Sequence, residues 1–351
     1  MNSIVKKLTV LALLISLVSA LPVQDSQVKA AIDDSEVHKR DSRSLDFGLG
    51  WHLDRIDQRS LPLNGKYCPS ENGSGVDIYV FGEGIQHDHA EFGGRAFDGG
   101  YSTKSGLCSS AYFGTMVASL AAGNTVGVAR KANVYSIDVL ECFLFTTVSK
   151  VIDGIRHVMK VVKSTDSTRR VVIALPLYTY YSVPLNNIIK KATKMGIVVV
   201  AAAGNQVDNA CRYSPASSPD VISVGATTRH DGLYRSFLEG TNYGKCVTLF
   251  APGQLVTAAT DNDAYITTTG TSLSCGIVAG AAAQVLEKYP DFTPQEVKKH
   301  LVSMATEDAI DFSTLPRWEM GYTSNRLLYT GSRCVDDDGD SDGSGDSLMM
   351  P

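Results

Sequence analysis

Several features that would narrow the function at once are missing from this chain. There is no basic excess: Lys and Arg number 32 against 37 Asp and Glu, a formal net charge of −5. Nothing global therefore points to nucleic acid or to an anionic membrane surface. Charged residues make up only 20% of the chain and hydrophobic ones 44%, which excludes a disordered, highly charged protein. Twelve prolines and 31 glycines fall without a period, so the chain is neither collagen-like nor low-complexity. No internal repeat is visible, and beyond the N-terminal twenty residues there is no apolar run of about 18 residues such as a membrane span needs.

What is present begins at the ends. Lys6 and Lys7 precede an apolar stretch over residues 8–18, which closes on Val18-Ser19-Ala20. A basic start, a short apolar run and small residues at the cut describe a signal peptide over residues 1–20 and hence a secreted, extracellular protein. Residues 21–50 read as a short polar pro-segment or linker carrying the dibasic pair Lys39-Arg40. Export makes disulfides plausible for the seven cysteines, of which an odd one must be left over. Asn72-Gly73-Ser74 is an N-glycosylation sequon in a turn-rich stretch. Residues 331–351 are read as a disordered acidic tail, of which 335–351 hold six aspartates and no basic residue. Within it Asp338-Gly339-Asp340-Ser341-Asp342-Gly343 matches the opening of a calcium loop, but the twelfth position is Met349 rather than a bidentate glutamate. No cofactor is required by this pattern; a structural calcium ion is compatible with it, and metal ligands stay unassigned.

Between these ends, β-branched runs at 76–81, 134–139, 171–175, 197–201 and 221–224 read as buried parallel strands. Helical spacing fits 148–162, 184–195, 272–288 and 293–304, the last with a Thr293-Pro294 start. Such alternation predicts an α/β domain over 51–330, with a parallel sheet covered by helices. The chemistry falls at the ends of these elements. Gly270-Thr271-Ser272 precedes a small-residue helix, and a serine at a helix N-terminus lies beside free N–H groups, which suits an oxyanion. A plain N-cap is the alternative reading of that residue. Asn205 ends a buried strand and could supply a second oxyanion donor, or simply be a turn asparagine.

Taken together, these segments resemble the subtilisin-like serine proteases, in the proteinase K branch. The resemblance runs from Trp51-His52-Leu53-Asp54-Arg55-Ile56-Asp57-Gln58-Arg59 to Asn325-Arg326-Leu327-Leu328, nearly four-fifths of the chain. It includes Gly204-Asn205, Tyr213-Ser214-Pro215-Ala216, Phe250-Ala251-Pro252-Gly253 and Gly270-Thr271-Ser272. Ala210-Cys211-Arg212-Tyr213 and Gly244-Lys245-Cys246-Val247 look most similar to the receptor-binding member of the proprotein convertase subtilisin/kexin group. The resemblance implies a three-layer α/β fold with a mostly parallel central sheet and helices on both faces. It also implies disulfides Cys108–Cys142 and Cys211–Cys246. Cys275 is then a buried thiol, and Cys68–Cys334 would tie the ends together.

The family's catalytic trio maps unevenly. Ser272 holds the nucleophile position and Asn205 the oxyanion position, but Gly82 stands where members carry the aspartate and Phe113 where they carry the histidine. A serine hydroxyl is a poor nucleophile without a base, and phenylalanine accepts no proton. In subtilisin, loss of the serine or histidine alone lowers turnover on the order of 10⁶-fold. The expectation from these residues is therefore an inactive homologue that works by binding a protein or peptide ligand, with no nucleic acid partner and no membrane span. Two competitors stand beside it. One is an active serine endopeptidase using Ser272 with a non-standard base, for which Glu83, His87 and His89 are candidates, each with an ordinary surface role as the alternative. The other is a matrix or calcium-associated structural protein. The groove edge Ala174-Leu175-Pro176-Leu177 also departs from the family's glycine-rich segment, and Pro176 has no N–H for a substrate strand. Tyr178, Tyr180 and Tyr181 follow it, as either a partner surface or edge packing.

Overall fold

Short β-branched runs without a polar face are stable only when covered on both sides, and in the computed structural model those runs lie side by side in the middle of the domain. The structure describes residues 26–31, 33–40, 50–103, 111–141, 144–165 and 169–331, with the backbone alone for 33–40. In chain order the elements are β1 (Gln27–Ala30), β2 (Asp33–Arg40), α1 (Trp51–Ile56), β3 (Val76–Gly82), β4 (Ala96–Ser102), α2 (Tyr112–Ala122), β5 (Asn133–Asp138) and β6 (Phe145–Thr147). They continue with α3 (Val148–Ser164), β7 (Arg170–Leu175), β8 (Leu177–Tyr180), α4 (Val183–Thr193), β9 (Val198–Ala202), β10 (Tyr213–Ser214), β11 (Ile222–Thr227), β12 (Leu249–Pro252) and β13 (Val256–Ala259). The last are β14 (Tyr265–Thr269), α5 (Thr271–Lys288), α6 (Pro294–Met304), β15 (Thr306–Glu307), α7 (Arg317–Met320) and β16 (Arg326–Leu327).

The central sheet has the order β15-β16-β12-β11-β9-β7-β3-β5-β4. All its neighbours are parallel except the edge pair β15 and β16. Every residue of β3, β9 and β11 is buried, as a strand covered from both faces requires. On one face α3 settles against Phe81, Ile137 and Val139, closely enough that a Cβ on Gly154 would come within 2.8 Å of the Phe81 ring. α5 crosses β7, β9 and β11, with α2 beside it. The predicted α/β layering is thus observed, and the helices expected at 148–162, 184–195, 272–288 and 293–304 differ from α3, α4, α5 and α6 only at their ends. α6 opens with the reciprocal bonds of a capping box between Thr293 and Glu296.

Two smaller sheets flank this body. One has the order β10-β8-β1-β6 and the other β13-β14-β2, so the N-terminal segment contributes a strand to each. Residues 21–50 were expected as a pro-segment or linker; within them 27–30 and 33–40 are paired strands. The stretches expected to hold a signal peptide, an acidic tail with its calcium-loop motif, and a Cys108–Cys142 pair lie outside the described residues. Cys211–Cys246 is formed, with Cα atoms 5.2 Å apart. Cys68 is disulfide-bonded as well, while its expected partner Cys334 lies outside the described residues. Cys275 is the buried free thiol foreseen, and burial pushes its pKa up.

Candidate active site

Ser272 stands in the first turn of α5, where backbone N–H groups have no acceptor inside the helix. Its N–H donates instead to the carbonyl of Ala31 at 3.0 Å, and its Oγ donates to the carbonyl of Pro176 at 3.3 Å. A second donor comes from the end of β9. There Gly204 turns the chain at φ +101°, a position where a Cβ would come within 2.5 Å of Asn242 Nδ2 and Gln206 Oε1, and Asn205 follows it. Asn205 Oδ1 accepts from the Thr271 N–H at 3.1 Å and from Thr271 Oγ1 at 2.9 Å. A backbone N–H needs an acceptor, so these bonds fix which end of the amide is oxygen. Nδ2 is left buried with no partner among the described residues. A buried donor without a partner costs about 1–3 kcal/mol, which a charge developing on a substrate carbonyl would offset.

The positions matched to the family's trio meet through helix packing. A Cβ on Gly276 would stand 2.7 Å from Val117 O, and one on Gly280 would stand 2.5 Å from Ala121 O. Both pairs advance by one helical turn in the same direction, so α2 and α5 run side by side and parallel. One turn back along each helix sets Ser272 opposite Phe113. A Cβ on Gly82 would in turn lie 3.8 Å from Phe113 Cδ1 and 3.0 Å from Gly114 Cα. The structure therefore brings Gly82, Phe113 and Ser272 together, and the first two carry no ionisable group.

The groups weighed as substitutes for the base fall in different places. Glu83 is buried rather than a surface residue, and its Oε1 accepts the Phe113 N–H at 2.7 Å, which holds its carboxylate at the start of α2. His89 is also buried. Its Nδ1 accepts the Glu91 N–H at 3.0 Å, and its ring meets Phe92 and Tyr265 edge-on. Tyr265 begins β14, so about 13 Å of strand separates that contact from the turn before Ser272. His87 is half-buried. Among the described residues no group of three His, Cys, Asp or Glu side chains is placed to hold a metal ion. No helix among them is long and apolar enough to cross a membrane.

The groove edge behaves differently from its sequence. β1 pairs antiparallel with both β6 and β8, with Val28 opposite Thr146 and Ala30 opposite Leu177. Pro176 takes part as an acceptor: its carbonyl receives the Ala31 N–H at 3.1 Å. The missing N–H at Pro176 therefore does not prevent a peptide strand from docking, because the rung there runs from peptide to protein. The tyrosine cluster divides. Tyr178 lies edge-on to Tyr213, whereas Tyr180 stacks on Tyr213 with its outer face exposed, and Tyr181 is exposed too. The β1 contribution was missed in the sequence, although the alternation Gln27-Val28-Lys29-Ala30 is a period-two signal. Thr271, which orients Asn205, gives no signal in the sequence beyond its place in Gly270-Thr271-Ser272.

A model of the subtilase family matches residues 73–324. The chain belongs to the subtilase family. An "Extracellular serine proteinase" from Thermus sp. (strain Rt41A) is 39% identical over 312 residues, which cover 88% of this chain and 72% of that protein. Among solved structures, a cold adapted subtilisin-like serine proteinase matches with a TM-score of 0.72 and 34% identity, covering 81% of this chain and 99% of its own. These findings correct the expectation that this subtilase is an inactive homologue working by binding alone. Its relatives over most of the chain are named as serine proteinases, and nothing in the described residues shows a centre without activity. The physical ground for that expectation was two substituted positions. It gave those positions more weight than the retained Ser272 and Asn205, and it took Pro176 as a defect in the groove edge, where the Pro176 carbonyl in fact accepts a strand N–H.

Proposed function

We propose that this chain is a secreted serine-type endopeptidase whose acyl-transfer centre is Ser272, acting on extended peptide strands and requiring no cofactor. The observation that carries this reading is the Ala31 carbonyl. It sits on the Ser272 N–H with its own strand clamped between β6 and β8, so the cleft holds an extended peptide with a carbonyl on the backbone of the nucleophile residue. In the reaction Ser272 Oγ attacks the carbonyl carbon of a peptide so seated. The negative charge on its oxygen is met by the Ser272 N–H and by Asn205 Nδ2. The hydroxyl proton passes to a base and from it to the departing amine, and water then releases the acyl group by the same route. The names of the relatives support both the peptidase activity and the extracellular location.

Position 113 offers no imidazole, so the base is a non-standard one. Of the groups weighed for it, Glu83 is the one whose carboxylate is tied to position 113. Ser272 Oγ is at present directed at Pro176 O, a carbonyl that orients the hydroxyl without taking its proton. The test is fluorophosphonate labelling of the secreted protein, with the site mapped by peptide mass spectrometry, beside Ser272→Ala and Glu83→Gln. Labelling at Ser272 that Ser272→Ala abolishes is the expected result. Wild-type protein that neither labels nor cleaves denatured protein substrates would overturn the reading, and undiminished labelling in Glu83→Gln would remove Glu83 from the mechanism.

A further inference from the structure

Away from Ser272, a cavity of about 400 Å³ opens between the segment entering β11, the segment entering β12, α6 and β16. Three cations from three separate elements line it: Lys245 ahead of β12, Lys298 on α6 and Arg326 on β16. No Asp or Glu is among its lining residues. β11 and β12 run parallel, and the cavity lies at their N-terminal ends. Lys298 Nζ donates there to the carbonyls of Pro219 and Val221, just ahead of β11, at 3.1 and 2.8 Å. The turn before Ser272 belongs to the opposite end of the sheet, where the Gly253 carbonyl, directly after β12, accepts the Gly270 N–H at 2.8 Å. β12 and the residues flanking it put about 15–20 Å of extended chain between the two places.

We propose that this cavity is a binding site for a tetrahedral oxyanion, a phosphate or sulfate group, held by Lys245, Lys298 and Arg326. The site is separate from the acyl-transfer centre, and the inference does not rest on the peptidase reading. The charges are placed but not balanced. Lys298 is half-buried, and its two carbonyl acceptors pin the ammonium while leaving its third N–H free to meet a ligand. Burial lowers its pKa, with the carboxylate of Asp220 opposing. Lys245 is exposed and has no carboxylate partner among the described residues. Arg326 meets Glu307 only through an exposed contact, Nε to Oε1 at 3.5 Å, which leaves the outer N–H groups of its guanidinium fork for another acceptor. Like charges facing one cavity disfavour one another, and an anion seated among them removes that cost. The donor set selects the shape of the anion. A carboxylate offers two oxygens in one plane, whereas three cations arriving from three directions match the oxygens of a tetrahedral group, one edge of which suits the planar arginine fork. The volume lies within the range of small-molecule sites.

The test is titration calorimetry of the full secreted chain with inorganic phosphate, with sulfate and with chloride, all at one ionic strength. Phosphate or sulfate should bind saturably at one equivalent, and chloride should not; the tighter of the two oxyanions names the source of the group. The double variant Lys245→Gln/Arg326→Gln alters one exposed side chain and one whose ion pair is itself exposed, so it should melt where wild type does. It should bind the oxyanion at least about a hundredfold more weakly, each charge-assisted bond being worth about tenfold or more. Asn205→Ala should bind it as wild type does, because Asn205 lies at the other end of the sheet. Equal heats with chloride would overturn the inference, as would wild-type affinity in the double variant. Loss of binding in Asn205→Ala would overturn it too, since the anion would then sit at Ser272.

Discussion

Restoring the two substituted positions should convert a slow nucleophile into a fast one, and the structure sets the size of the effect. The perturbation is Gly82→Asp with Phe113→His. At position 82 a Cβ meets Gly114 Cα at 3.0 Å and Phe113 Cδ1 at 3.8 Å, so the backbone must give by a few tenths of an ångström but has room for a carboxylate facing residue 113. At position 113 the imidazole replaces a fully buried ring opposite Ser272, while the backbone N–H keeps its bond to Glu83. The single variants should each destabilise the fold. An unpaired carboxylate beside Phe113 and an unpaired buried imidazole each cost about 1–3 kcal/mol. In the double variant each satisfies the other, so it should be more stable than the sum of the singles by about 1–3 kcal/mol in a double-mutant cycle. General-base assistance should then raise acylation of Ser272 about 10²–10⁴-fold. The assay is the fluorophosphonate labelling rate together with turnover of a peptide ester, read against wild type and against each single variant. A double variant that melts cooperatively yet labels no faster than wild type would falsify the placement of residue 113 beside Ser272.

Three further outcomes follow from the same coordinates. Asn205→Ala should lower kcat about 10²–10³-fold with a smaller change in KM, because it removes a donor to the developing oxyanion; Thr271→Val should give part of that loss by freeing the amide to turn. His52 is fully buried, and burial lowers its pKa from 6.5 to about 4, with its hydrogen bond to the Val126 carbonyl opposing. The unfolded chain thus binds more protons between these values, and folding stability should fall by about 3 kcal/mol as pH drops from 6.5 to 4. Chemical denaturation across that range should show the slope reduced in His52→Gln. Asp231 holds the fully buried Arg55 through two bonds, at 2.7 and 3.1 Å, from a left-handed backbone at φ 60°. Asp231→Asn keeps that backbone tolerable but removes the charge that balances the buried guanidinium, leaving it only neutral acceptors such as the Gln58 carbonyl, and should cost about 3–5 kcal/mol in thermal or denaturant unfolding.

The sequence by itself determined the elements and the type of chemistry. β-Branched runs such as Val198–Ala202 must be covered on both faces, and the Thr293-Pro294 start and helical spacing mark their helices; these are local preferences of backbone and side chain, readable over ten residues. The motif Gly270-Thr271-Ser272 likewise put a hydroxyl at a helix N-terminus. α2 was legible only as part of a family motif, because it is buried almost all round and so lacks a polar face to give it a period. Tertiary structure decided the rest. Gly82, Phe113 and Ser272 are far apart in the chain and meet only because Gly276 and Gly280 let α5 lie against the backbone of α2. The amide of Asn205 is oriented by Thr271 from another element, and Pro176, which reads as a defect in a strand edge, serves through its carbonyl. Residues 21–50 read as a pro-segment or linker because the pairing of 27–30 and 33–40 with β6, β8 and β14 depends on closing long loops onto edges that exist only once the body has folded, and no local pattern encodes which edge a short strand will find.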